Sequence, residues 1–205
     1  MDIQIRQGPQ CHTSNCYTYR NDDIKYIVIH FTSNNGDTAL NNCNYFSGAN
    51  RGASAHYFIG DDGIYQSVPD KWAAWAVGGT KIYKHPYCRN MNSISIEMCS
   101  RIGADGKYYI RDGIVEQTIK LTRYLMNKYG VPAQNVLRHY DVWGKQCPEP
   151  FVRKPELWEK FKRKLKTPAG CVGRILQIKT GQKEIRTLCR LPHTPAFIPG
   201  VLTVQ

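Results

Sequence analysis

The stretch LRHYDVWGKQCP, residues 137–148, brings together three side chains that can do chemistry: His139, the thiol of Cys147 and, between them, the ammonium of Lys145. An imidazole and a thiolate are two ligands of an open metal site. A zinc ion that does chemistry usually takes three protein donors and keeps water at the fourth position, so one more donor must come from elsewhere. His30, closing the apolar run YIVIH, suits best, because such a run forms a buried strand and a histidine at its C-terminal tip is rigid and reachable. A hydrogen-bonded core histidine is the other reading of His30.

Zinc on His30, His139 and Cys147 would acidify its water to a pKa of about 7 and polarise a carbonyl. Hydrolysis at such a metal needs two further parts: a group that carries the proton to the leaving group, and a positive charge beside the developing oxyanion. Glu97 fits the first. In SISIEMC the apolar Ile94, Ile96 and Met98 alternate with Ser93, Ser95, Glu97 and Cys99, which puts the carboxylate on the small, polar face of a strand. A mid-strand carboxylate is costly to bury alone, so its readings are catalysis or a buried ion pair. Lys145 fits the second part. Tyr140 and Asp141 are expected to shape the loop, with Asp141 orienting a histidine ligand. An electron-transfer copper site uses the same ligands but adds an axial methionine near the cysteine, and no methionine follows Met126.

These residues need elements to position them. Residues 3–6 read as an edge strand, 8–23 as a loop over the domain, and 25–30 as a strand apolar on both sides, ending at His30. Asp37 is expected to cap a helix whose stripe is Ala39, Leu40, Cys43 and Phe46, stopped by residues 48–52. Residues 53–59 and 64–68 form a hairpin around Asp61, Asp62 and Gly63. Residues 93–99 are the strand of Glu97. A helix over 114–129 ends at Gly130 and Pro132, a short strand over 135–139 delivers His139, and a last helix starts at Pro155 with Leu157, Trp158, Phe161 and Leu165 on its buried stripe. The pattern is an α/β protein.

Four blocks in order, YIVIHFTS, SAHYFIGDDGIYQSVP, NSISIEMC and RHYDVWGKQCP, resemble the type-2 N-acetylmuramoyl-L-alanine amidases, a zinc enzyme family that includes phage endolysins and catalytic peptidoglycan recognition proteins. The resemblance covers roughly residues 20–165. It implies a single mixed central sheet flanked by helices, and a bond to cleave: that between the lactyl group of N-acetylmuramic acid and L-alanine in peptidoglycan. It also implies a substrate groove near His56, with Tyr65 on the same hairpin and Trp72 and Trp75 as walls. Core packing is the other reading of His56 and both tryptophans. Many family members carry Trp-His-Ala-Gly where this chain has KWAAWAVGG, so Ala76 stands in the place of that histidine. Non-catalytic recognition modules of the family lack the metal cysteine, whereas Cys147 is present.

The 205 residues suffice for one good core, assigned to 1–166, with residues 167–205 as a linker and short appendage. Apolar runs at 175–178 and 185–188 around Thr180 and Gly181 suggest a hairpin there; a truncated wall-binding module, a docked extension and partial disorder all remain open. A net charge of +12 favours polyanionic surroundings such as anionic wall polymers, or simply a solvated basic surface. Nucleic acid is not expected, since no zinc-finger spacing or aromatic-basic repeat supports it. The polar N-terminus and the lack of a run near 20 apolar residues predict no signal peptide and no membrane span. An enzyme held in the cytoplasm until lysis is the expectation the resemblance adds. Most of the eight cysteines are expected as thiols, with Cys11 and Cys16 able to pair or to bind a second metal with His12.

Overall fold

A strand with no polar side must be enclosed on both faces, and residues 26–31 are buried along their whole length. The computed structural model describes residues 3–78 and 82–166. In chain order it contains β1 (Ile5–Gln7), β2 (Cys16–Tyr17), β3 (Tyr26–Phe31), α1 (Ala39–Ser47), β4 (Tyr57–Gly60), β5 (Gly63–Gln66) and β6 (Ala73–Ala74). There follow β7 (Ser93–Met98), β8 (Arg101–Ile102), β9 (Tyr108–Tyr109), α2 (Asp112–Tyr129), β10 (Val136–Arg138), α3 (His139–Trp143), α4 (Glu149–Arg153) and α5 (Pro155–Lys166).

Six strands form one mixed sheet in the order β1-β5-β4-β7-β3-β10. Only the β4–β5 hairpin is antiparallel within it. Helices flank this sheet, as the resemblance implied. Ile27, Ile29, Ile94, Ile96 and Ile59 pack with Ile119, Leu121 and Leu125 of α2 and Phe161 and Leu165 of α5 in the main core. The helix α2 carries that stripe at helical spacing and stops at Gly130, whose φ of +66° is left-handed and whose N–H returns to Met126 O. The opposite face of the sheet is smaller and more polar, with Val28, Ser93 and Ser95 beneath Val77, Cys88 and Val142.

Several local expectations change. β3 continues to Phe31, so His30 is the penultimate residue of the strand. His139 is not on a strand: β10 ends at Arg138 and the imidazole opens the first turn of α3. Asp37 does not cap α1. Thr38 does, its hydroxyl accepting from Asn41 N, while the hairpin carboxylate of Asp62 accepts from Ala39 N and Leu40 N. The stretch 8–23 is not all loop, because β2 pairs antiparallel with β6. The two-stranded β8–β9 ribbon and α4 carry too little periodicity to be read from sequence. The expected C-terminal hairpin and appendage lie outside the described residues. No described helix is long and apolar enough to cross a membrane.

Candidate active site

Register brings the chemistry together. β3, β7 and β4 pair so that His30, Glu97 and Phe58 share one row, and Tyr65 of β5 continues it. Side chains of such a row leave the sheet on the same face. β10 runs parallel beside β3, with Arg138 opposite Ile29, so the next residue, His139, arrives beside His30. Their ring centroids are 4.6 Å apart. The loop after α3 turns at Gly144, φ +79°, and returns Cys147 to the same point, where Cys147 O accepts from Tyr140 N.

One donor atom each from His30, His139 and Cys147 lies within 4.8 Å of the others, and Cys147 Sγ is 3.7 Å from His30 Nδ1. Tetrahedral zinc with ordinary bond lengths separates its donors by about 3.3–3.6 Å, so a small closure makes the set chelating. All three side chains are nearly fully buried. Both ring nitrogens of His139 and Nε2 of His30 have no hydrogen-bond partner. Buried polar atoms are normally satisfied, and three orphaned imidazole nitrogens around one thiol are what a metal cation would satisfy. The residues fit a metal ion.

Electrostatics agree. Burial holds His30 well below the usual imidazole value, helped by the charges of His139 and Lys145, so it stays neutral, the form that can bind a metal. Burial, then Lys145, lowers His139 to about 4. Burial, with Glu97 adding, pushes the Cys147 thiol up, and a bound cation would hold it as thiolate. Glu97 Oε1 lies 3.8 Å from His30 Nδ1, while Oε2 is enclosed and unpartnered. Burial raises the Glu97 carboxyl to about 8; Lys145 opposes the rise and Asp37 adds to it. Lys145 is exposed on the loop that carries Cys147 and reaches these groups through its charge. Asp141 does not orient a histidine: it accepts from Arg138 N, Nε and Nη2 and closes the first turn of α3.

The groove residues divide. His56 is fully enclosed and its nitrogens are bonded, Nδ1 accepting from Ser95 N and Nε2 facing Arg20 and Trp72 O. It is an internal brace and not a groove contact; burial, then Arg20, lowers it to about 3, so it stays neutral. Tyr65 bonds Arg6 Nη1 and does not line the cavity beside Glu97. Trp72 packs on the Cys11, Cys16, Val68 and Ala74 cluster. Trp75 is half-buried, with Tyr17 at its edge 5.4 Å away. Cys11 and Cys16 are free buried thiols.

Sequence reasoning missed the wall of that cavity, which has a volume of about 490 Å³. Glu97 and Phe58 form its floor, Phe46 of α1 stacks on Phe58 at 5.5 Å, and Asn42, Asn41 and Tyr45 continue it along the helix. The 3.6-residue spacing of α1 was legible, but which strand the helix covers was not. Sequence also missed Arg20. Its guanidinium donates to the carbonyls of Asp70, Trp72, Asn90, Met91 and Ser93, tying two loops to the sheet.

The family model described as N-acetylmuramoyl-L-alanine amidase matches residues 20–150. A probable N-acetylmuramoyl-L-alanine amidase of Bacillus licheniformis is 33% identical over 154 residues, covering 72% of this chain and 42% of the relative. The solved structure of PlyL superposes with a TM-score of 0.65 at 28% identity, covering 82% of this chain and 99% of that one. A mutant endolysin from Bacillus subtilis gives 0.64 at 26%, covering 80% and 99%. The chain thus spans under half the length of the curated relative but nearly all of these two solved chains. With the fold, the His-His-Cys cluster and the family match in agreement, the chain belongs to the N-acetylmuramoyl-L-alanine amidase family.

Proposed function

We propose that this chain hydrolyses the amide bond between N-acetylmuramic acid and L-alanine in peptidoglycan, with zinc on His30, His139 and Cys147, and that it acts as an endolysin. The observation carrying this reading is the convergence of three buried donors, with imidazole nitrogens unsatisfied, beside a partly buried carboxylate. Bound there, zinc supplies a Lewis acid and a water acidified to a pKa of about 7.

The chain's own residues do the rest. Glu97 stands next to His30, and burial raises its carboxyl to about 8, the direction that suits a group that first takes and then gives a proton. Lys145 offers the positive charge beside the oxyanion. Phe58 and Phe46 give the cavity beside Glu97 an apolar surface, and half-buried Trp75 is kept in this reading as a wall of the groove. Release at lysis would bring the enzyme to the wall, and the +12 charge suits a surface rich in anionic polymers.

The test is digestion of purified peptidoglycan followed by mass analysis. Stem peptides with a free L-alanine amino end, lost with a chelator and restored by zinc, are expected. New reducing sugar ends or cleavage within the peptide would refute the assignment.

A further inference from the structure

The cavity beside Glu97 differs in charge from the rest of the molecule. The chain carries +12, yet the residues lining the cavity are Thr32, three asparagines, three aromatic residues and the two carboxylates Asp37 and Glu97, with no cation among them. Asp37 Oδ2 accepts from Asn34 Nδ2 at 3.1 Å and Asn42 Nδ2 at 2.6 Å, both neutral amides. Its Oδ1 accepts no hydrogen bond from nitrogen or oxygen, and the neighbouring Cys99 thiol is a weak donor. The negative charge of Asp37 is thus held in place without being neutralised. Cations nearby are engaged elsewhere: Arg101 lies against Gly36 but pairs with Asp61 at 3.2 Å, Arg51 covers the Tyr45 ring at 4.5 Å, and Lys145 acts on Glu97 from the metal side.

Position sets what this charge meets. His30, Glu97 and Phe58 are one row of the sheet, so the cavity starts at Glu97 and leads away from the ligand cluster towards α1. A substrate whose amide lies between the metal ligands and Glu97 extends one arm into it. The volume is in the range of ordinary ligand sites. The floor of Phe58 and Phe46 suits an aliphatic chain, and Asp37 repels a carboxylate and attracts an ammonium.

We infer that this cavity takes the peptide arm of the substrate and that Asp37 selects arms carrying a free side-chain ammonium, as on a diamino-acid residue. This rests on the amidase reading above. Asp37 is a specificity residue here, not a catalytic one.

The test compares two muramyl tripeptides, L-alanyl-D-isoglutaminyl-L-lysine and the same peptide acetylated on its lysine side chain. Turnover is measured with the zinc-loaded enzyme, and binding of the two free peptides by calorimetry. The wild type should favour the free ammonium by about tenfold in kcat/KM and in affinity, in line with one charge-assisted contact. Asp37→Asn should erase that preference by weakening only the lysine form. Should that variant fold poorly, Asn41→Lys on the exposed rim should depress the lysine form and spare the acetylated one. Equal use of both peptides by the wild type, or a preference that survives both substitutions, overturns the inference. Absence of turnover on either peptide would count against the amidase reading alone, since the binding comparison still decides the role of Asp37.

Discussion

His30 and Glu97 occupy facing positions on neighbouring parallel strands, and their side chains meet at 3.8 Å, Nδ1 to Oε1. The proposed ligand and the proposed proton carrier are therefore fixed relative to each other by sheet register and not by a loop. Substituting Glu97 should leave the ligand cluster in place, because the backbone pairing that positions His30 does not depend on the carboxylate. Glu97→Gln should bind zinc like the wild type while kcat falls by about 10²–10⁴-fold, the usual contribution of a general acid–base group. Zinc content by atomic absorption and turnover on a muramyl peptide separate the two; near-normal kcat would assign proton transfer elsewhere.

Cys147 offers the one sulfur among the three donors. A serine there keeps the size but offers a poor ligand to a soft-tolerant cation. Cys147→Ser should purify with little or no zinc and show no lysis at any zinc concentration that leaves the wild type active. Full metal occupancy in this variant would remove Cys147 from the ligand set.

Arg20 carries the weight that sequence assigned to loop polarity. Without it, at least four carbonyls between the sheet and the two loops lose a donor. An enclosed unsatisfied group costs about 1–3 kcal/mol, so Arg20→Met should lose about 3 kcal/mol in chemical denaturation. Arg20→Lys should recover only a part, since an ammonium lacks the planar fork that reaches both loops. Wild-type stability in Arg20→Met would show that water replaces the guanidinium freely.

Asp70 gives a pH dependence far from the ligand cluster. Burial alone would raise its carboxyl, but hydrogen bonds from Tyr129, Tyr57 and Lys128 outweigh burial and hold it below its ordinary value. A group depressed in the folded state stabilises the fold above its unfolded pKa and loses that contribution as pH falls through the folded value. The wild type should therefore lose its margin over Asp70→Asn below about pH 4, the ordinary carboxylate range. Melting curves from pH 7 to pH 3 check this; parallel curves for the two proteins would mean that Asp70 is not depressed.

The cluster of His30, His139 and Cys147 was legible because its chemistry is restrictive. Two imidazoles and a thiol have few joint uses, and the apolar run before His30 and the alternation around Glu97 gave both strands. The helical stripe of α2 and the breaker at Gly130 were equally plain. What failed was tertiary. His56 sits on a strand-like segment and reads as a groove residue, but Arg20 and the 72–75 segment cover it from distant parts of the chain. Phe58 reads as core, and it is core, yet it also floors a cavity because α1 leaves a gap beside it. Asp37 and Thr38 are both good cap residues, and only the approach of Asp62 from the hairpin decides between them.

β10 is an outermost strand of the sheet, held on one side by β3, and it precedes two of the three proposed metal donors. Pairing of β7 with β3 and β4 can be complete while that margin is still unzipped. A refolding chain would then show native aromatic fluorescence before it retains zinc, so ion uptake times the docking of the sheet's last rim and not the collapse of its centre.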